Sequence, residues 1–182
     1  MRSTEVYRIL REEVGPWAKS EGFKRADCML SWQRPQGNRH LVFRFQVWLD
    51  GFDPYAGSKF TAEFQLGARP VVASGPSTRK RLSSLLEAAD LDELRQMQNA
   101  VIRSLPRPPR DYPLLRKDAL TREWYLGKFQ PVETPYEPTE DVWLRYHTPA
   151  HVREWARFLV QRLPTVVARV EGWAAAEREG LS

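Results

Sequence analysis

Alternating apolar and polar residues run through the first half of the chain and predict β-structure there. The clearest stretch is residues 40–50, where the alternate apolar positions are Leu41, Phe43, Phe45, Val47 and Leu49. Residues 24–33 and 60–66 show the same alternation. A period of two is typical of an antiparallel sheet that buries one face, so we expect three consecutive strands in this part of the chain.

Apolar residues at helical spacing predict helices near both ends and in the middle of the chain. We expect the first helix to be interrupted at residues 15–16 (Gly-Pro), because proline lacks the backbone donor that a helix needs. A middle helix is expected to begin near Asp90. Residues 148–149 (Thr-Pro) predict the start of a helix near the C-terminus, since a capping hydroxyl precedes a proline at the first helical position. Pro164 is expected to end this helix, and the residues after it are a candidate further helix.

Together these elements predict an α+β fold with an antiparallel sheet of four to five strands and the N- and C-terminal helices packed on one face. Residues 123–129 and 141–146 are the further candidate strands. Four prolines fall within residues 105–113 and predict an extended, irregular segment. Neither side of that segment shows an independent fold, so we expect residues 1–182 to form a single domain.

The composition excludes several classes of protein. Seven Trp, six Tyr and eight Phe exclude a mainly disordered chain, and a single Cys excludes a disulfide framework. The apolar runs are far shorter than the ~18 residues that suggest a membrane span, and no signal peptide is visible after Met1. We therefore expect a cytoplasmic protein with no membrane partner.

No recognised catalytic or cofactor motif occurs in the sequence, which disfavours an enzyme while leaving the question open. The patterns GxSxG, GxGxxG and the phosphate loop are missing, so no cofactor is expected. His147, His151 and Glu154 have a spacing that zinc ligands can use, but Thr-Pro after His147 places that histidine before the helix. Capping or surface roles are the favoured interpretation, and no metal is expected. Cys28 is expected to be a small buried residue.

The polar side of the predicted sheet is the candidate binding surface. If the three strands pair as consecutive hairpins, this side carries Arg25, Arg44, Gln46, Trp48, Glu63 and Gln65. Arginine and glutamine offer directional hydrogen bonds to a carboxylate, a phosphate or a peptide edge, and tryptophan adds a stacking surface. The alternative is a solvated face on which cross-strand Arg–Glu pairs add a little stability.

Basic clusters within residues 79–117 are a second candidate surface. The chain has a net charge of +5, and 22 of its 28 basic residues are arginine. The residues that we expect to contact a nucleic-acid backbone are Arg79, Lys80, Arg81, Arg107 and Arg110. Acidic residues are interspersed and few aromatic residues are present, so an ordinary solvated surface is the competing interpretation.

Five short motifs occur along the first 70 residues: VGPW at 14–17, EGFKR at 21–25, WQR at 32–34, FRFQ at 43–46 and FQLG at 64–67. Together they resemble the bacterial DUF4304 family, a domain of unknown function. Trp143 and the helix from Pro149 fit the end of the family pattern more loosely, and Gln65 stands where the family usually has Asn. The resemblance implies the fold and a bacterial cytosolic setting, with no assigned activity.

These observations lead to two functional hypotheses. The first is a binding or interaction protein that engages a protein or a small polar ligand through the polar sheet face. The alternative is a protein that associates with nucleic acid through the Arg-rich region at residues 79–117.

Overall fold

A six-stranded antiparallel sheet and four α-helices make up the described part of the chain. The computed structural model describes residues 1–26, 30–69 and 78–179. In chain order the elements are α1 Ser3–Ser20, β1 Lys24–Arg25, β2 Leu30–Gln36, β3 Arg39–Val47, β4 Ser58–Gly67, β5 Thr78–Arg81, α2 Ala88–Ser104, α3 Ala119–Gly127, β6 Leu144–Tyr146 and α4 Pro149–Glu179. Short 3₁₀ turns span Leu82–Leu85 and Pro113–Arg116.

Strand β4 is the central strand of the sheet. From one edge of β4 the sheet continues outward through β3, β2 and β1, in that order. Strands β5 and β6 share the other edge end to end, since β5 pairs with the second half of β4 and β6 with the first half. Because β4 has neighbours along both edges, nearly all of its residues are buried.

The apolar side of the sheet carries the core. Phe43 lies at its centre, with the ring centroids of Trp32 at 5.0 Å, Phe23 at 5.1 Å and Phe64 at 5.9 Å. Helices α1 and α4 pack against each other and against this side, each with a buried apolar stripe. The predicted α+β class, with the N- and C-terminal helices on the apolar face, is confirmed.

The predicted strand over residues 24–33 is divided into β1 and β2, and β5 was not predicted, so the sheet has six strands although residues 123–129 form none of them. Arg25 pairs with Trp32, and Trp32 pairs with Phe43, so all three lie on the apolar side of the sheet. The Arg25 guanidinium lies 5.0 Å from the centroid of the Trp32 ring. The expected placement of Arg25 on the same face as Arg44 is therefore wrong, because β1 pairs antiparallel with β2 instead of forming one continuous strand with it.

Both prolines that were expected to break helices lie inside them. Helix α1 continues through Pro16, and α4 continues through Pro164. Buried apolar residues flank each proline: Val14 and Ala18 in α1, and Leu163 and Val166 in α4. An internal proline costs about 3 kcal/mol of helix stability, and packing on both sides offsets that cost here.

Residues 119–127 form helix α3, so the strand predicted over residues 123–129 is wrong. Asp118 caps the helix: its Oδ1 accepts from the backbone N–H of Thr121 at 2.9 Å, and its Oδ2 from the Thr121 hydroxyl at 2.7 Å. This cap lies before the aromatic segment, and the capped helix buries only Tyr125. The interpretation as a strand missed the capping signal of Asp118.

The loop before β4 depends on the absence of a side chain at Gly57. Its φ is +70°, and a Cβ added there would lie 2.1 Å from the carbonyl oxygen of Tyr146 in β6. Gly51, in the same loop, has a φ of +86° but nothing within 4 Å of an added Cβ. Alanine substitutions at Gly51 and Gly57 therefore distinguish the cost of a left-handed backbone from the added cost of a steric clash.

We expect Gly57→Ala to destabilise the protein by clearly more than Gly51→Ala. The left-handed conformation alone costs an alanine about 1–2 kcal/mol, and only the variant at position 57 also forces β6 away from β4. Urea unfolding of both variants measures the difference. Equal losses would contradict the close approach of Gly57 to Tyr146.

Candidate ligand-binding pocket

The polar side of the sheet holds a buried ion cluster centred on Glu63. Cross-strand pairing places Arg44, Glu63 and Arg81 side by side on three adjacent strands. Glu63 is 2% exposed, and its carboxylate lies 2.5 Å from Arg44 Nε and 2.9 Å from Arg81 Nη1. Arg79 forms a third ion pair with the same carboxylate. All three arginines are therefore paired with a carboxylate of the protein itself.

The ion cluster keeps Glu63 ionised. Burial would raise the pKa of this carboxyl, but hydrogen bonds from Arg79 and Arg44, with the charges of Arg44 and Arg81, hold it below its ordinary value. The other predicted residues of this face lie beside the cluster. Gln46 Oε1 accepts from Arg81 at 3.3 Å, and Gln65 is buried, with an Oε1 atom that accepts no hydrogen bond among the described residues.

The same side of the sheet opens into a pocket where β5 ends and β6 begins. The pocket has a volume of about 720 Å³. Its floor comes from the sheet, its sides from the loop at residues 50–57 and from helix α3 with the preceding turn. Its aromatic and cationic lining includes Trp48, Lys59, Tyr112, Trp124, Lys128, Trp143 and Arg145.

Two lysines in the pocket lie against aromatic rings rather than carboxylates. Lys59 Nζ lies 4.0 Å from the centroid of Trp48 and 5.3 Å from that of Trp143. Lys128 Nζ lies 3.9 Å from the centroid of Trp124. Within the described ranges, neither lysine forms an ion pair with a carboxylate at 4.0 Å or less. Burial, followed by the charge of Arg145, lowers the pKa of Lys59 against the opposing charges of Asp141 and Asp50, and burial lowers the pKa of Lys128 against the opposing charge of Asp53.

Arg145 is the third cation of the pocket. It pairs across the ladder with Lys59, and its guanidinium donates to the backbone carbonyls of Lys128 and Ala56. Two carboxylates at the rim already have partners: Asp50 accepts from the Trp48 indole N–H at 2.7 Å, and Asp141 accepts from the indole of Trp143 at 3.0 Å. Arg81 also pairs with Asp141, at 3.2 Å.

Asp53 joins the loop at residues 50–57 to the wall that contains α3. Its carboxylate accepts hydrogen bonds from the Tyr112 hydroxyl at 2.8 Å and the Tyr125 hydroxyl at 3.0 Å. The backbone N–H groups of Tyr55 and Ala56 donate to the same carboxylate, at 2.8 and 2.7 Å. Asp53 therefore connects three separate segments around the pocket.

The ionised form of Asp53 is the one that holds this connection. Burial alone would raise its pKa, but the backbone donors of Ala56 and Tyr55 and the two tyrosine hydroxyls together bring the pKa below its ordinary value. Burial, with the hydrogen bond to Asp53, raises the pKa values of Tyr112 and Tyr125. Both hydroxyls thus remain donors at neutral pH.

Among the ligand-site residues predicted from the sequence, Trp48 lines the pocket. Lys59 could have been found from the pattern, because the alternation of β4 places it on the same side as Glu63. Lys128 could not, because residues 123–129 were interpreted as a strand. Arg145 belongs to a predicted strand, yet its position beside Lys59 depends on the pairing of β6 with β4.

The two histidines near the start of α4 bind neighbouring chain segments. His147 Nε2 lies 2.8 Å from the carbonyl oxygen of Pro54. His151 Nδ1 accepts from the backbone N–H of His147 at 3.2 Å, and its Nε2 lies 3.2 Å from Ser104 Oγ. The part of the chain that the structure describes holds no cluster of three or more acidic, His or Cys residues suited to a metal ion. Cys28 lies outside the described residues.

The basic residues predicted to contact nucleic acid divide into two groups. Arg79 and Arg81 are paired with Glu63. Lys80 in β5 is exposed, as are Arg107 and Arg110, which form no ion pair with any described carboxylate.

We expect Glu63→Gln to lower the free energy of unfolding at neutral pH by about 1–3 kcal/mol, the cost of a lost buried partner. The folded pKa lies below the unfolded value of about 4.3, so ionised Glu63 stabilises the fold above that pH. This contribution is lost as the pH falls through the folded pKa. The variant should therefore lose less stability than wild type between about pH 6 and about pH 3.

Urea unfolding at both pH values provides the measurement. Glu12→Gln is the matched control, because Glu12 forms an exposed ion pair with Arg8 within one helix and should change stability by less than about 0.5 kcal/mol. If Glu63→Gln and Glu12→Gln changed the free energy of unfolding equally at both pH values, the result would contradict the buried ion cluster.

We expect Asp53→Asn to loosen helix α3 without unfolding the sheet. Loss of the carboxylate weakens the bonds to Tyr112 and Tyr125, and a loss of about 1–2 kcal/mol corresponds to amide exchange that is about 5- to 30-fold faster. Hydrogen exchange of residues 119–127 measures this change. Asp111→Asn, at an exposed site with no bonded partner in the described chain, is the control. Unchanged exchange in α3 would show that Asp53 does not hold this wall.

The comparisons with known proteins leave the chain without an assigned family. No family model, no curated protein and no solved structure matches it. The resemblance to DUF4304 stays a prediction. Among the described residues, no helix has the length and apolar character needed to cross a bilayer.

Proposed function

We propose that this chain is a binding protein whose pocket takes a small anionic ligand that carries a planar ring. One observation carries the proposal: Lys59, Lys128 and Arg145 line a single pocket, and none of them forms an ion pair at 4.0 Å or less with a described carboxylate. The resemblance to DUF4304 supports a bacterial cytoplasmic setting for this role.

The cations support an anionic ligand on energetic grounds. Partial burial of a charge is unfavourable unless the charge is paired, and the lowered pKa values of Lys59 and Lys128 reflect that cost. A carboxylate or phosphate in the pocket would supply the missing partner through charge-assisted hydrogen bonds. Elsewhere in the fold the protein itself supplies such a partner, because the Glu63 carboxylate pairs with Arg44 and Arg81.

The tryptophans support a ring in the same ligand. Trp124 is 61% exposed and Trp48 is 37% exposed, although both line the pocket. Large exposed aromatic rings offer apolar area and a π-face to a planar group. The pocket volume of about 720 Å³ lies within the ~300–1,000 Å³ that is usual for small-molecule sites, so a ligand of nucleotide size fits. Its concave shape favours a small ligand over a flat protein partner.

The test is binding of ring-bearing anions to wild-type protein and to two lysine variants. Calorimetry with UMP, FMN and indole-3-acetate, and with neutral uridine as the uncharged match to UMP, measures the contribution of the anion. We expect at least one anion to bind, and Lys59→Met to weaken it by about 10- to 100-fold, the effect of a lost charge-assisted bond of about 1.5–3 kcal/mol.

Lys24→Met is the matched control, because Lys24 is an exposed lysine of the edge strand β1, at the opposite edge of the sheet. It should bind the anion as wild type does. Failure of all three anions, uridine binding as tightly as UMP, or equal effects of the two lysine substitutions would contradict the proposed function.

A further inference from the structure

A run of exposed cations lies in the chain segment that also supplies Tyr112 and Leu114 to the pocket. Residues 103–122, which we call the basic segment, contain six basic and two acidic residues. The six are Arg103, Arg107, Arg110, Arg116, Lys117 and Arg122, and all are exposed. One of the two acidic residues, Asp118, is engaged as the cap of α3.

The cations of the basic segment have no carboxylate partners among the described residues. Arginines elsewhere in the chain are commonly paired, as Arg44 is with Glu63, Arg162 with Asp90 and Arg169 with Glu87. Unpaired and exposed guanidinium groups keep all their donors available for an external anion.

The basic segment also contributes to the pocket itself. Tyr112 and Leu114 line the pocket, and Trp124, two residues beyond the end of the segment, lines it as well. Arg110 lies two residues before Tyr112, and Arg116 two residues after Leu114. Exposed cations therefore flank, along the chain, two residues that line the pocket.

We infer that the pocket holds one nucleotide of a single-stranded nucleic acid, whose phosphates continue across the basic segment. This inference rests on the proposed function and names its ligand class. Single-strand binding combines a cationic path for the backbone with aromatic side chains on which bases stack, and Trp48 and Trp124 provide such rings beside Lys59 and Lys128.

Two features favour nucleic acid over an acidic peptide. Five of the six cations are arginine, whose planar fork binds phosphate with two parallel hydrogen bonds and also stacks on bases. A nucleic acid repeats a ring and an anion in every unit, which matches a pocket with both kinds of partner. The inferred nucleic acid is single-stranded because a base can enter the pocket only when it is not stacked within a duplex.

The experiment measures the affinity of the full chain for fluorescein-labelled rU and dT oligonucleotides of roughly 15 nucleotides, close to the upper end of the ~4–16 nucleotides known for single-strand sites. A duplex of equal length and free UMP are compared in parallel. We expect the single strands to bind more tightly than the duplex and than UMP. The ratio of rU to dT affinity distinguishes RNA from DNA.

Two variants locate the binding path. Arg107→Ala with Arg110→Ala should reduce the slope of log affinity against log salt by about 1.4 between about 50 and 200 mM salt, since each phosphate contact on a single strand contributes about 0.7. Arg11→Ala with Arg157→Ala is the matched control, because both arginines are exposed on the helices of the apolar face. Lys59→Met should weaken oligonucleotide binding severalfold.

Failure of this inference is distinguishable from failure of the proposed function. If UMP binds through Lys59 but the oligonucleotides bind no more tightly, the inference is overturned and the proposed function stands. The inference is also overturned if oligonucleotide binding is unchanged in either the Arg107/Arg110 variant or Lys59→Met. Displacement of the oligonucleotide by poly-glutamate at equal charge would indicate an acidic protein partner instead. If neither UMP nor any oligonucleotide binds, and the other anions fail, both ideas are wrong.

Discussion

The buried charge of Glu63 organises the polar side of this fold. Strand β4 has neighbours along both edges, so a carboxylate at its centre is removed from water and needs partners supplied by the protein. Arg44 comes from β3, and Arg79 and Arg81 come from β5, which ties three strands to one charge. The ion cluster occupies the half of the polar side where β5 pairs with β4. The pocket lies in the other half, where β6 pairs with β4.

The arginines of this chain differ in function according to their partners rather than their number. Arg44 and Arg81 belong to the architecture, because they neutralise Glu63. Arg145 supports the pocket through backbone carbonyls. Arg107 and Arg110 have no such engagement among the described residues and face solvent. A count of basic residues therefore says little about binding, whereas the distribution of their partners separates structural from available charge.

Local patterns in the sequence predicted the fold class and the start of α4, where Thr148 caps the helix and its carbonyl accepts from Val152. They failed where packing between segments that are distant in the sequence determines the structure, as at Pro164, which lies inside α4. The pocket was only partly predictable, with Trp48 found from strand alternation. Its Asp53 connection joins residues 59 and 72 positions apart in the chain, a proximity that no local period reveals.

The two walls of the pocket differ in how they are held. The wall formed by β4 and β6 belongs to a continuous hydrogen-bonded sheet, whereas α3 buries one side chain and is fastened through the hydroxyl of that residue to Asp53. A bound ligand therefore contacts Lys59 and Arg145 on the sheet, and Lys128 on a wall that fewer buried side chains hold in place. Substitutions in the sheet wall should act mainly on equilibrium affinity, while those at Asp53 should change association and dissociation rates together.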